Sequence, residues 1–157
     1  MAHVVIALMG VAGSGKTFVG TALASELGWR FIDADDLHPR SNIEKMKSEV
    51  PLDDVDREPW LERISAELAA HEGNVVLACS ALRQAFRDRL PGVRFVLLRA
   101  PVAVLTDRLR TRSNHFMPPS LLGSQLDALE EPAAALVLDS TQPIPVLVQQ
   151  IREALKV

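Results

Sequence analysis

Gly10-Val11-Ala12-Gly13-Ser14-Gly15-Lys16-Thr17 is the stretch on which the reading of this chain turns. It matches the pattern G-x-x-x-x-G-K-[S/T] in full, and its setting matters as much as the match. The apolar run His3–Met9 leads directly into it. Thr17–Leu27 leads out, with Val19, Leu23 and Leu27 at helical spacing and Gly28 as a stop. A strand, a glycine-rich turn and a helix in that order make a cradle for phosphate. The glycines let the chain curl until successive N–H groups point inward, and the helix start adds partial positive charge. On this reading the eight residues from Gly10 to Thr17 hold a nucleotide triphosphate. Lys16 reaches its β- and γ-phosphates, and the Thr17 hydroxyl ligates Mg²⁺.

Working outward, the runs Asn74–Cys79, Arg94–Leu98 and Ala135–Asp139 join His3–Met9 as short apolar segments without polar alternation, the mark of buried parallel strands. A fifth strand is expected around Arg30–Asp33. Helices are expected over Arg57–His71 with Asp56 as N-cap, from Pro101 to about Arg112, over Leu121–Leu129 and over Pro145–Leu155. Alternating strands and helices predict a three-layer α/β P-loop NTPase fold. Its five-stranded parallel sheet is flanked by helices, with a helical substrate-binding segment at about 36–72 and a mobile lid at about 110–120. No repeat or linker divides the chain, so a single domain over 1–157 is expected.

The 157 residues are 48% hydrophobic and 24% charged, with a formal net charge of −3. That balance gives no broad basic field for nucleic acid or an anionic membrane, so affinity for an anion must come from locally placed donors. Cys79 is the only cysteine, which excludes an internal disulfide and suits a reducing compartment. No apolar run approaches membrane-spanning length, and the expected location is cytoplasmic. Cys79 and Trp60 both read as core residues rather than as a nucleophile and a sugar platform.

The phosphate loop alone does not separate kinases from switches and motors. No Asn-Lys-x-Asp or Asp-x-x-Gly element of a GTPase is present, and Val75–Cys79 ends in Ser80-Ala81-Leu82 rather than in an acid. Phe31-Ile32-Asp33-Ala34-Asp35 supplies what phosphoryl transfer needs. Two carboxylates at i and i+2 of an extended segment point to one side and can divide metal binding from proton acceptance. The competing reading is an acidic turn that caps the next helix. Arg108 and Arg112 lie on one helix face near the expected lid, and Gln142-Pro143 follows the last strand.

Further motifs run in order along the chain: Leu37-His38-Pro39 with Asn42, Lys45 and Met46; Pro51-Leu52 with Asp54, Asp56-Arg57 and Pro59-Trp60-Leu61; Cys79-Ser80-Ala81-Leu82 with Arg87-Asp88; and His115-Phe116-Met117-Pro118 with Leu121-Leu122, Ser124-Gln125, Leu129-Glu130 and Pro132. Together with the phosphate loop they resemble the gluconate kinase family, related in fold to shikimate kinase and the nucleoside monophosphate kinases. The resemblance implies transfer of the ATP γ-phosphate to the 6-hydroxyl of D-gluconate. It implies Asp33 holding Mg²⁺ through water and Asp35 contacting the substrate as base. It also implies Arg57 and Arg87 at the substrate carboxylate, and His38, Ser80 and Gln125 at its hydroxyls. Arg108 would stack on adenine and Arg112 would reach the transferred phosphate. Family members are often homodimers. The chain departs from the family pattern at Glu49, usually Gly, at Arg83, commonly Lys, and at Phe86, commonly Tyr. The rival readings are a kinase for another small metabolite, such as shikimate, and a non-catalytic nucleotide-binding module. The triple glycine of shikimate kinases is missing, which weighs against the first.

Overall fold

The computed structural model describes residues 3–111 and 119–157. Five strands form one sheet: β1 (Val5–Met9), β2 (Arg30–Asp33), β3 (Val75–Ala78), β4 (Arg94–Arg99) and β5 (Leu136–Asp139). All pairings are parallel and the order is β2-β3-β1-β4-β5, so β1, which feeds the phosphate loop, lies at the centre. Each strand expected from the sequence is present. Their continuous apolar runs are explained by alternation between two buried faces. Val5 and Ala7 face one core with Trp60, Ile64 and Leu68, whereas Ile6 and Leu8 face another with Val19, Leu23, Leu147 and Ile151.

The helices are α1 (Lys16–Leu27), α2 (Arg40–Lys47), α3 (Asp54–Ala70), α4 (Gln84–Arg87), α5 (Val102–Thr111), α6 (Leu122–Ala128) and α7 (Ile144–Leu155). Neither α2 nor the four-residue α4 is marked by apolar spacing. The start of α3 corrects the sequence reading. Asp53, not Asp56, is the N-cap, and Asp56 sits at the third helical position. The Asp56 amide donates to Asp53 Oδ1 at 2.8 Å and the Asp53 amide to Asp56 Oδ2 at 3.0 Å, a reciprocal capping box. Pro59 lies inside α3, so the bond that an N–H there would give to the Val55 carbonyl is absent.

A third apolar cluster lies beneath the phosphate loop. Val11 and Ala12 pack there with Leu82, Leu105, Leu109 and Leu122, so the loop, α5 and α6 share one support. The position of the loop is thereby set by packing as well as by its glycines. No described helix is long and apolar enough to cross a membrane.

Candidate active site

The loop between β1 and α1 is bent at two glycines with no tolerance for a side chain. Gly10 has φ 152°, and a Cβ there would lie 2.7 Å from Ser14 Oγ and 2.8 Å from the Leu98 carbonyl. Gly13 has φ 85°, and its Cβ would lie 2.9 Å from the Leu105 carbonyl. Gly15 caps α1 in a left-handed conformation without a side-chain hydrogen bond, so the first N–H groups of α1 are not occupied by a cap. Lys16 Nζ folds across the loop and donates to the Gly10 carbonyl at 2.8 Å and the Val11 carbonyl at 3.1 Å. The Ser14 hydroxyl is buried and has no hydrogen-bond partner among the described residues. These are the donors of an anion cradle, and they fit a triphosphate.

The loop opens into a cavity of about 970 Å³ that continues past Asp35, His38, Arg57, Ser80 and Gln125. Five expected site residues outside the loop are therefore brought to one space from four separate segments. Arg108 reaches the other end, donating to the Gly13 carbonyl at 3.1 Å, Ser140 Oγ at 3.2 Å and the Ser140 carbonyl at 2.8 Å. Gln142 lines the same end. Arg112 and most of the expected lid, including His115-Phe116-Met117-Pro118, lie outside the described residues.

The two carboxylates are arranged differently from the sequence expectation. The chain is extended only to Asp33 and then turns into a 3-10 segment, Ala34–Leu37. Strand alternation therefore does not align Asp33 with Asp35. Asp33 caps the turn, its Oδ1 accepting the Asp35 amide at 3.0 Å, while its Oδ2 accepts the Thr17 hydroxyl at 3.0 Å. One side chain thus caps the turn and ties it to the start of α1. Burial, followed by the like charge of Asp35, raises the Asp33 pKa. Asp35 enters the cavity from the turn itself. Trp60 holds that turn in place, because its buried Nε1–H donates to the Ala34 carbonyl at 2.7 Å. This is the core role expected for Trp60, with a polar handle added. Cys79 is likewise buried, and burial pushes its thiol up to about 12, so it is inert.

The two arginines expected at a substrate carboxylate part company. Arg57 lines the cavity, with one guanidinium N–H on the Leu52 carbonyl at 2.8 Å and its charge 5.0 Å from the centre of the Phe86 ring. Arg87 does not line the cavity. It is 4% exposed and donates to the carbonyls of Ala81, Leu82 and Glu130 and to Gln84 Oε1, at 2.6–3.1 Å. Three of these bonds go to backbone and clamp a loop in which buried Ala81 takes a positive φ of 36°.

Sequence reasoning missed Arg83, which lines the cavity, ion-pairs with Asp54 at 3.1 Å and lies 5.8 Å from the Phe86 ring centre. Its only signal was a departure from the family pattern. Ser140 was also missed, and its place just past the end of β5 is where ligands of parallel sheets gather. Gln125 has a second task besides lining the cavity: its Oε1 accepts the Ala12 amide of the phosphate loop at 2.6 Å.

The family model described as Shikimate kinase matches residues 12–155. The probable gluconokinase of Xenopus tropicalis is 42% identical, over 94% of this chain and 90% of its own. The thermosensitive gluconokinase of Escherichia coli (strain K12) is also 42% identical, over 94% of this chain and 84% of its own. The crystal structure of a gluconokinase from Sinorhizobium meliloti 1021 superposes with a TM-score of 0.83 at 41% identity, covering 98% of this chain and 95% of that one. The resemblance carried by the ordered motifs is thus matched along nearly the whole length in sequence and in shape. The chain belongs to the gluconokinase family of ATP-dependent kinases.

Proposed function

We propose that the protein transfers the γ-phosphoryl group of ATP to the 6-hydroxyl of D-gluconate, forming 6-phospho-D-gluconate and ADP. The observation that carries this reading is one continuous cavity with a phosphate cradle at one end and Asp35, His38 and Arg57 at the other. The acceptor is named by the gluconokinases that the chain resembles.

In this reading Asp35 orients the 6-hydroxyl and takes its proton as the oxygen bonds to the γ-phosphorus and the bond to the β-phosphate oxygen breaks. Lys16 leaves the Gly10 and Val11 carbonyls for the β- and γ-phosphates and offsets the charge gathering on them. Arg57 receives the gluconate carboxylate, and His38, Ser80 and Gln125 serve its hydroxyls. Arg108 lies against the adenine end. Thr17 and Asp33 present a hydroxyl and a carboxylate side by side, hard oxygen donors of the kind Mg²⁺ prefers. Thr17 would hold the ion directly and Asp33 through water. When bound, the ion neutralises phosphate charge. Its charge would also relieve the burial and repulsion that raise the Asp33 pKa. A single buried cysteine and dependence on ATP both suit the cytoplasm.

The test is ADP release with a panel of acceptors that includes D-gluconate, other aldonic acids and shikimate. Saturable release with gluconate far above the rest is expected. Preference for shikimate, or ATP binding without turnover on any acceptor, would overturn the reading.

A further inference from the structure

Asn42, Lys45 and Asp56 belong to the ordered motifs, yet none has a part in the chemistry above. All three lie at the joint between α2 and α3, directly behind His38. Lys45 Nζ pairs with Asp56 Oδ2 at 2.8 Å. Asn42 is 1% exposed, and its amide nitrogen Nδ2 lies 2.7 Å from the Asp56 carbonyl and 3.2 Å from His38 Nδ1.

The Asp56 carbonyl has no hydrogen to give. The Asn42 group facing it must therefore be the NH₂, because the reverse orientation would press two acceptors together. One Nδ2 hydrogen goes to that carbonyl and the other points at His38 Nδ1. His38 Nδ1 must then carry a lone pair, and the ring hydrogen must sit on Nε2. The ring plane is fixed as well, since His38 stacks on Trp60 with centroids 4.4 Å apart and planes 8° from parallel.

We propose that Asn42 is a positioning residue that holds His38 as the Nε2–H tautomer, so that His38 meets the acceptor as a hydrogen-bond donor and not as a general base. A protonated Nε2 cannot take a hydroxyl proton, which leaves that task to Asp35. Among the described residues, Asp35 from the 3-10 turn and Arg57 from α3 act on the ring with opposite effects. Burial outweighs both and pulls the His38 pKa down to about 4, so the ring is neutral at physiological pH. The identity of the acceptor in this inference rests on the gluconate reading, whereas the tautomer does not.

Nitrogen NMR of histidine-labelled protein separates the two. At pH 7 the expected spectrum shows His38 neutral, with hydrogen on Nε2. Hydrogen on Nδ1, or an imidazolium, would overturn the proposal whatever the substrate proves to be. In Asn42→Asp the new carboxylate accepts at Nδ1 instead of donating, so the tautomer should switch or the ring should charge. The KM for gluconate should then rise about tenfold while the KM for ATP stays within about twofold. A switched tautomer with an unchanged gluconate KM would overturn the donor role. If Asn42→Asp does not fold, the spectrum of the unaltered protein still decides the tautomer. Wild-type protein inactive on gluconate would contradict the function proposed above, and the spectrum would still decide the tautomer.

Discussion

The two ends of the cavity are built on different principles. The nucleotide end is one stretch of chain: eight consecutive residues that bend at Gly10 and Gly13 into the phosphate loop. The acceptor end is made of side chains drawn from the turn after β2, the start of α3, the loop after β3, and α6. Three of those side chains, His38, Ser80 and Asp35, sit on segments held by other residues. Asn42 orients His38, Arg87 clamps the loop bearing Ser80, and the Trp60 indole N–H fixes the turn bearing Asp35. The contiguous device carries its bends in its own glycines and leans on α5 and α6 for support, whereas the assembled device draws its groups from separate segments.

The largest effect should come from the nucleotide end. Lys16→Met is expected to lower kcat by about a thousandfold or more, with the fold unchanged by circular dichroism, because only transition-state charge stabilisation is lost. At the acceptor end, Asp35→Asn should lower kcat by about a thousandfold at saturating gluconate and leave ATP binding by calorimetry nearly unaltered. Normal turnover in that variant would remove Asp35 as base and erase the division between the two ends.

Stability offers a third comparison. His38 has a folded-state pKa of about 4, below its ordinary value of 6.5, so between those values the unfolded chain binds a proton that the folded chain does not. Stability must therefore fall as pH drops through that window, by about 2 kcal/mol between pH 7.5 and pH 5. Urea titrations of His38→Gln should show that much less pH dependence over the same range; an equal dependence would mean that the ring charges freely. The smallest effect is expected for Arg108→Ala, with the KM for ATP raised about tenfold and kcat changed by less than about threefold. Arg108 ties Gly13 of the loop to Ser140 beyond β5.

This division also explains what could be read from the sequence. The strands and the phosphate loop were legible because their signals are local: a run of apolar residues, a fixed glycine spacing and a helix behind it. Helix α2 was not, because Arg40–Lys47 buries only Asn42 and Met46 and carries no apolar stripe. Asp53 lost the N-cap to Asp56 in the sequence reading because both residues belong to the same reciprocal box, and either is a capping type. Arg57 and Arg87 are equivalent as residue types in motifs. Only the tertiary fold decides that one lines the cavity while the other is consumed by the carbonyls of Ala81, Leu82 and Glu130. Glu49 shows the reverse case. The family pattern has Gly there, and the structure supplies the reason, a left-handed φ of 64° that a non-glycine residue adopts at a cost of about 1 kcal/mol.

The central claim is that both ends act on one phosphoryl group in a single space. ATP radiolabelled on its γ-phosphorus, incubated with D-gluconate and the enzyme, tests it most directly. The account predicts that label appears in 6-phospho-D-gluconate in step with ADP. Label released instead as inorganic phosphate, at the same rate with and without gluconate, would contradict it.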